Sequence, residues 1–206
     1  MGMEIMCFDL EGVFVPEIWI NVAERTGIEA LRLTTRDEPD YDRLMNYRLG
    51  ILDEHGLGIE DIQRVIAELR PLPGAPEFLD WARSNFPVVI LSDTFYDFAA
   101  PLMAQLGHPA LFAHNLTIDE RGRIAGYELR MPHHKMASVK VFQSLNFSVF
   151  ACGDSYNDTA MLLAADRGFL FRPPPNVVEE FPQLPVTHSY EELRQHLVEA
   201  SSRTLV

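Results

Sequence analysis

A chain of 206 residues, 47% apolar and 23% charged, can bury a core either as one domain or as a core carrying a small insert. Its net charge of −13 argues against nucleic acid, whose phosphates need Lys and Arg surfaces, and any anionic ligand must be met by local positive charge. No apolar run reaches the roughly 18 residues of a membrane span. Met1 to Met6 lacks a basic leader, Met6 stands where myristoylation of Gly2 wants Ser or Thr, and Cys7 and Cys152 lack ligand spacing; a reduced cytoplasmic protein without membrane partners is expected.

Glu4 to Leu10 reads as a short buried strand ending in the acidic turn Asp9-Leu10-Glu11-Gly12. Pro16 to Thr26 predicts a helix with Pro in its first turn and Gly27 as its stop. Tyr41 to His55 and Ile59 to Leu69 predict two more, the latter with Ile59, Ile62, Val65, Ile66 and Leu69 on one face. Pro71, Pro73 and Gly74 then break the chain. Residues 14–73 are thus expected as a small helical cap inserted after the first strand, with residues 1–13 and 74–206 forming the core.

Beyond Gly74 the pattern alternates. Pro76 to Ser84, Phe95 to Leu106, Lys135 to Leu145, Met161 to Ala165 and Tyr190 to Ala200 read as helical. Val88 to Leu91, Ser148 to Cys152 and Gly168 to Phe171 read as strands, and Leu116 to Asp119 with Ile124 to Met131 as a hairpin around Glu120-Arg121-Gly122. Pro173-Pro174-Pro175 reads as a stiff loop. Short apolar strands alternating with helices mean an α/β fold, a doubly wound parallel sheet with helices on both faces.

In such sheets ligands bind outside the carboxyl ends of the strands. Three predicted strands end there in polar residues: Asp9 and Glu11, Ser92 and Asp93, and Asp154 to Asp158. Two carboxylates at i and i+2 after an apolar run are costly to bury without a cation, and a hard divalent ion removes that cost; a solvated turn accounts for them equally well. Gly153-Asp154-Ser155-Tyr156-Asn157-Asp158 suits close approach of an anion to a helix start, or an ordinary helix cap. Taken singly, Ser92 is a turn serine and Lys135 a solvated lysine. His133 and His134 read as loop residues beside the site, and Cys7 and Cys152 as buried thiols.

In order along the chain, Asp9-Leu10-Glu11-Gly12-Val13, Leu91-Ser92-Asp93, Lys135 and Gly153-Asp154-Ser155-Tyr156-Asn157-Asp158 resemble the four motifs of the haloacid dehalogenase superfamily. Within it the chain is most similar to phosphoserine phosphatases, and especially to the bifunctional phosphoserine phosphatase/homoserine phosphotransferase group. The resemblance implies a Rossmann-like core, Mg²⁺ held by Asp9, Asp154 and the main chain of Glu11, and Asp9 as nucleophile. Glu11 is implied as general acid and base, with Ser92 and Lys135 on the phosphoryl oxygens. Asp158 would support Lys135 or the metal's surroundings, and Asn157 would face substrate. Glu17 and Arg48 match residues that hold the amino group and the carboxylate of a phosphorylated amino acid; without the resemblance they are a first-turn acid and a solvated arginine.

Two positions depart from the family pattern. Glu11 stands where most of these phosphatases have Asp, and Asp93 where phosphoserine phosphatases usually have Gly. Asp93 therefore adds an acid to the substrate side. Two other readings stay open: the same chemistry on a sugar phosphate, nucleotide or pyridoxal phosphate, and a non-catalytic protein that binds a phosphorylated ligand. A monomer or a homodimer fits either.

Overall fold

The computed structural model describes residues 3–34, 37–38 and 40–205; Met1 and Gly2, on which part of the N-terminal reading rests, lie outside them. Its strands are β1 (Met3–Phe8), β2 (Val88–Phe95), β3 (Ala110–Ile118), β4 (Ile124–Glu128), β5 (Phe147–Gly153), β6 (Arg167–Phe171) and β7 (Val186–Thr187). They form one sheet in the order β4-β3-β2-β1-β5-β6-β7. Neighbours pair in parallel except β3 and β4, which are antiparallel. The chain winds outward from β1 to β3, then returns across β1 to β5 and winds out the other way. The order therefore reverses between β1 and β5, the place where doubly wound sheets bind ligands.

The helices are α1 (Ile18–Thr26), α2 (Tyr41–Glu54), α3 (Ile59–Ala67), α4 (Ala75–Asn85), α5 (Tyr96–Gln105), α6 (His134–Ser144), α7 (Thr159–Ala164), α8 (Pro175–Glu180) and α9 (Tyr190–Ala200). Met6, Phe8, Phe150 and Cys152 face α4, α5 and α9 on one side of the sheet. Ile5, Cys7, Val149 and Ala151 face α6, α7 and α8 on the other. Both faces being covered, the strands carry continuous apolar runs instead of alternating ones. Phe8 anchors the first face, its ring 5.0 Å from Phe14 and 5.8 Å from Phe78 in edge contacts. Each such buried ring stabilises the fold by roughly 1.5–3 kcal/mol. Both cysteines are buried and free, as expected; burial pushes the Cys7 thiol up to about 12 and Cys152 well above its ordinary range.

Several boundaries differ from the sequence reading. Helix α1 opens at Ile18, not Pro16, because Leu10 to Val15 folds into its own turn: the Phe14 and Val15 amides donate to the Leu10 carbonyl at 2.8 and 3.1 Å. Strand β2 continues past Leu91 to Phe95, with a register shift on the way. Strand β3 begins six residues upstream of Leu116 because its first half pairs with β2 and only its second half with β4. Pro175 opens α8, so the proline run is a loop that becomes a helix start.

Helices α1 to α3, with a 3-10 turn at Glu29–Arg32, lie between β1 and α4 in the chain. The Leu72 amide donates to the Phe14 carbonyl at 2.8 Å, so the chain leaves and re-enters the sheet at adjacent points. The β3–β4 hairpin fastens this segment: Arg123 pairs with Asp53, Tyr127 with Asp42, and the Ile59 amide donates to the Gly122 carbonyl at 2.9 Å. Gln63 on α3 donates to the Asp97 carbonyl on α5 at 2.8 Å. No described helix is long and apolar enough to cross a membrane.

Candidate active site

Strands β2, β1 and β5 are neighbours, so Ser92 and Asp93, Asp9, and Asp154 arrive side by side at one edge of the sheet. Asp9 follows β1 directly, and its amide donates to the Cys152 carbonyl at 2.9 Å, stitching the ends of β1 and β5 together. Its carboxylate is buried. Lys135, the second residue of α6, reaches over from the adjoining face. Its ammonium lies 2.8 Å from Asp9 Oδ1, 2.8 Å from Asp158 Oδ1 and 3.1 Å from Asp93 Oδ2. Burial opposes the charge on Lys135, but Asp158, Asp9 and Asp93 together hold the ammonium well above the ordinary lysine range.

Asp158 is fully committed. Besides Lys135, it accepts the amides of Asp154 and Ser155 on Oδ2, at 3.0 and 3.3 Å. It thereby pins the loop after β5. Gly153 is needed for this, because a Cβ there would sit 2.4 Å from Asp158 Cγ. Gly12 has a second such role. It stands at φ +73°, and a Cβ would fall 2.3 Å from Asp154 Oδ2. Oxygens of Asp9, Asp154 and Asp158 lie within 4.8 Å of one another. Burial, then the neighbouring carboxylates, push Asp154 up to about 7 and Asp9 well above its usual range. Four carboxylates with one ammonium are a cluster short of positive charge. Hard oxygen donors in that state fit a divalent cation such as Mg²⁺. With Asp158 already bonded on both oxygens, Asp9 and Asp154 are the side chains available to such an ion.

A second group lies toward the helical segment. Glu11 Oε2 accepts the Ile18 amide at 2.7 Å. Burial, then the charge of Glu17, push Glu11 up to about 8. Arg48 is buried, not a solvated helix residue: it donates to the Leu33 carbonyl at 2.7 Å and stacks 4.5 Å over Trp19. Burial lowers it to about 10, against the pull of Tyr41, Glu11 and Glu17, so it stays charged at neutral pH. Its buried Nε has no hydrogen-bond partner among the described residues. Glu17 is exposed at the N-cap of α1 and caps nothing with its side chain.

Around Asp93 the sequence reading needs correcting. His134 is no loop bystander. It is buried in α6, with Nε2 3.1 Å from Asp93 Oδ1. His114 on β3, which the short reading of that strand missed, is also buried, with Nε2 3.7 Å from the same oxygen. Asn157, which the resemblance turns toward substrate, stands in the wall of the adjoining cavity and donates its amide to Asp93 Oδ2 at 2.8 Å. The acid at position 93 is therefore neutralised locally. Burial would raise its pKa, but Lys135, His114, His134 and Asn157 hold it well below the usual range. Ser92 is buried, its Oγ accepting the Thr94 amide at 3.3 Å, which leaves the hydroxyl proton free to donate. A cavity of about 620 Å³ adjoins the cluster, with Tyr41, Asp93, Lys135, Asn157 and Asn176 in its walls.

The family model for haloacid dehalogenase-like hydrolases matches residues 14–163. That span includes Ser92, Lys135 and Asp154; Asp9 and Glu11 lie just before it. The chain is 61% identical over 203 residues to the phosphoserine phosphatase ThrH of Pseudomonas aeruginosa, covering 98% of this chain and 99% of the relative. It is 59% identical over 205 residues to a phosphoserine phosphatase of Pseudomonas syringae pv. tomato, covering 100% of this chain and 86% of that one. A substrate-bound phosphoserine phosphatase structure shares the fold with a TM-score of 0.77 at 17% identity, covering 95% and 99% of the two chains. An apo phosphoserine phosphatase structure gives 0.76 at 18%, covering 94% and 98%.

The cluster makes Lys135 a stability residue in metal-free protein. Lys135→Met strands buried carboxylates, and loss of one partner of a buried pair costs about 3–5 kcal/mol. Without the ammonium, the folded carboxylates titrate above their unfolded values. The protonated forms then favour folding, and the stability they supply is lost as pH rises through the folded pKa. Urea unfolding in chelator is expected to show a deficit that is large near pH 8 and shrinks toward about pH 5.

Proposed function

The chain belongs to the haloacid dehalogenase-like hydrolases, and within that family we propose that it is a Mg²⁺-dependent phosphoserine phosphatase working through an aspartyl-phosphate on Asp9. The observation that carries the proposal is the contact of Asp9 Oδ1 with the Lys135 ammonium at 2.8 Å, beside Asp154, at the reversal point of the sheet. This is a nucleophile with a cation beside it and a negative cluster that wants a second one. Asp9, Asp154 and the Glu11 main chain would hold that ion, which supplies positive charge for an anionic phosphate.

Asp9 attacks phosphorus, and the bond from phosphorus to the serine oxygen breaks. Glu11, pushed to about 8, carries a proton at neutral pH and gives it to that oxygen. The backbone bond from Ile18 to Oε2 fixes the carboxyl and leaves Oε1 for the proton. Water then attacks the aspartyl-phosphate. Glu11 takes its proton, the Asp9–phosphorus bond breaks and phosphate leaves. Lys135 and Ser92 meet the charge that spreads over the phosphoryl oxygens.

Residues 14–73 serve as the cap over this site, with 1–13 and 74–206 as the core. Arg48 reads the substrate carboxylate, and its partnerless buried Nε supports this. Glu17, exposed at the mouth of α1, takes the amino group. An amino-acid alcohol held by the same two residues competes with water for the aspartyl-phosphate, which makes transfer to homoserine the companion activity.

A phosphate-release screen with Mg²⁺ tests the reading. Phosphoserine is expected to lead over sugar phosphates, nucleotides and pyridoxal phosphate, release is expected to stop in excess EDTA, and Asp9→Asn is expected to lose about 10⁴-fold, near 5.5 kcal/mol. With homoserine present, phosphohomoserine is expected. Preference for a non-amino-acid ester, or Asp9→Asn keeping a tenth of kcat, overturns it. Arg48→Ala is expected to cost roughly 2–5 kcal/mol in kcat/KM on phosphoserine and far less on an ester lacking a carboxylate; equal losses on both remove Arg48 from that role.

A further inference from the structure

We propose that His114 and His134 are positioning residues that act on the phosphoryl site through Asp93. The inference rests on the phosphatase reading above and adds residues to it. The Asp93 carboxylate is divided between two environments. Oδ1 faces the imidazoles, with His134 Nε2 at 3.1 Å and His114 Nε2 at 3.7 Å. Oδ2 faces the site, with Lys135 Nζ at 3.1 Å and Asn157 Nδ2 at 2.8 Å. The Asp93 main-chain oxygen also accepts the Tyr41 hydroxyl at 3.3 Å. A carboxylate gripped along one edge cannot rotate, so its other oxygen stays on Lys135 and Asn157.

His114 is itself fixed by the backbone. The Arg130 amide donates to His114 Nδ1 at 3.1 Å. The neutral ring therefore carries its proton on Nε2, the nitrogen that faces Asp93. His134 immediately precedes Lys135 in α6, and its ring meets that of His114 edge-on at 4.6 Å between centroids. Two imidazoles and a carboxylate with donor atoms within 4.8 Å also have the composition of a transition-metal site. The Arg130 amide argues against that: a metal on His114 Nε2 would move the ring proton to Nδ1, where it would face another N–H. The cluster is a polar support for Asp93, with His134 hydrogen-bonded to it and the His114 Nε2 facing the same oxygen at 3.7 Å.

The support is useful because of where Lys135 sits. Asp9 and Asp158 draw the ammonium toward the nucleophile, each at 2.8 Å. Asp93 pulls from a third direction. With that third contact the ammonium has one position, bonded to all three carboxylates at once, and cannot slide along Asp9 or Asp158. His114 and His134 thus keep Lys135 placed for the transferring phosphoryl group without touching substrate.

The test measures kcat and KM on phosphoserine and on p-nitrophenyl phosphate for His134→Leu, His134→Gln, Asp93→Asn and the Asp93→Asn/His134→Leu double variant, with thermal melts of each. On both substrates His134→Leu is expected to lower kcat about tenfold with KM moved less than about threefold. His134→Gln, whose amide N–H can reach Asp93, is expected to recover most of the loss. The double variant is expected to fall no lower than Asp93→Asn, because the histidine acts through that residue. Where the Leu variant melts below the assay temperature, His134→Asn, too short to reach, replaces it. Wild-type kcat in a folded His134→Leu, or losses that multiply in the double variant, overturn the proposal. So does one bound equivalent of zinc that His114→Ala abolishes, which would make the cluster a metal site. Failure on phosphoserine alone counts against the substrate reading, while p-nitrophenyl phosphate still reports on the positioning.

Discussion

Lys135 is the cation on which the site depends. Asp9, Asp93 and Asp158 converge on its ammonium, and Asp154 stands close by without an ammonium of its own. Carboxylates in this number cannot be buried together unless positive charge is supplied, and one lysine is not enough. The arrangement is therefore one that could hold a further cation. Such a cation would let a chain with a net charge of −13 attract a phosphate ester: the overall field repels it and the local one would receive it.

The fold supplies the convergence. Because β2, β1 and β5 lie side by side and parallel, three separate stretches of sequence end within reach of one another. Two glycines complete the approach. Gly12 makes room for Asp154 and Gly153 for Asp158, so the carboxylates come closer than any side chain at those positions would permit. The hairpin from β3 to β4 adds a second constraint, bonding the helical segment over this edge through Arg123, Tyr127 and Gly122. Under that segment Glu11 is dry enough to keep a proton near neutrality, which a solvated glutamate could not do.

Much of this was legible in the sequence. The alternation after Gly74 gave the parallel sheet, and the polar residues after three apolar runs gave the candidate edge. What stayed hidden depended on pairing. Strand β3 has a first half that is parallel to β2 and a second half antiparallel to β4, a division that no periodicity within 110–118 announces; His114 was lost with it. His134 reads as loop in the sequence because its hydrogen-bond partner, Asp93, lies 41 residues away. Asn157, exposed in the loop after β5, meets Asp93 across 64 residues of sequence. The departure at position 93 was visible as an unusual acid, and only the fold reveals that four side chains receive it. Arg48 was visible as a cation on a helix; its burial on Trp19 was not.

Passage of phosphate through Asp9 is the step on which the proposed chemistry turns. It is tested most directly by rapid quench of a single turnover with phosphoserine labelled in its phosphoryl group, followed by peptide mapping. A transient label is expected on the peptide containing Asp9, stable in acid and released by hydroxylamine as an acyl phosphate is. Label on a histidine or serine peptide, or turnover with no protein-bound label on the millisecond scale, would contradict it.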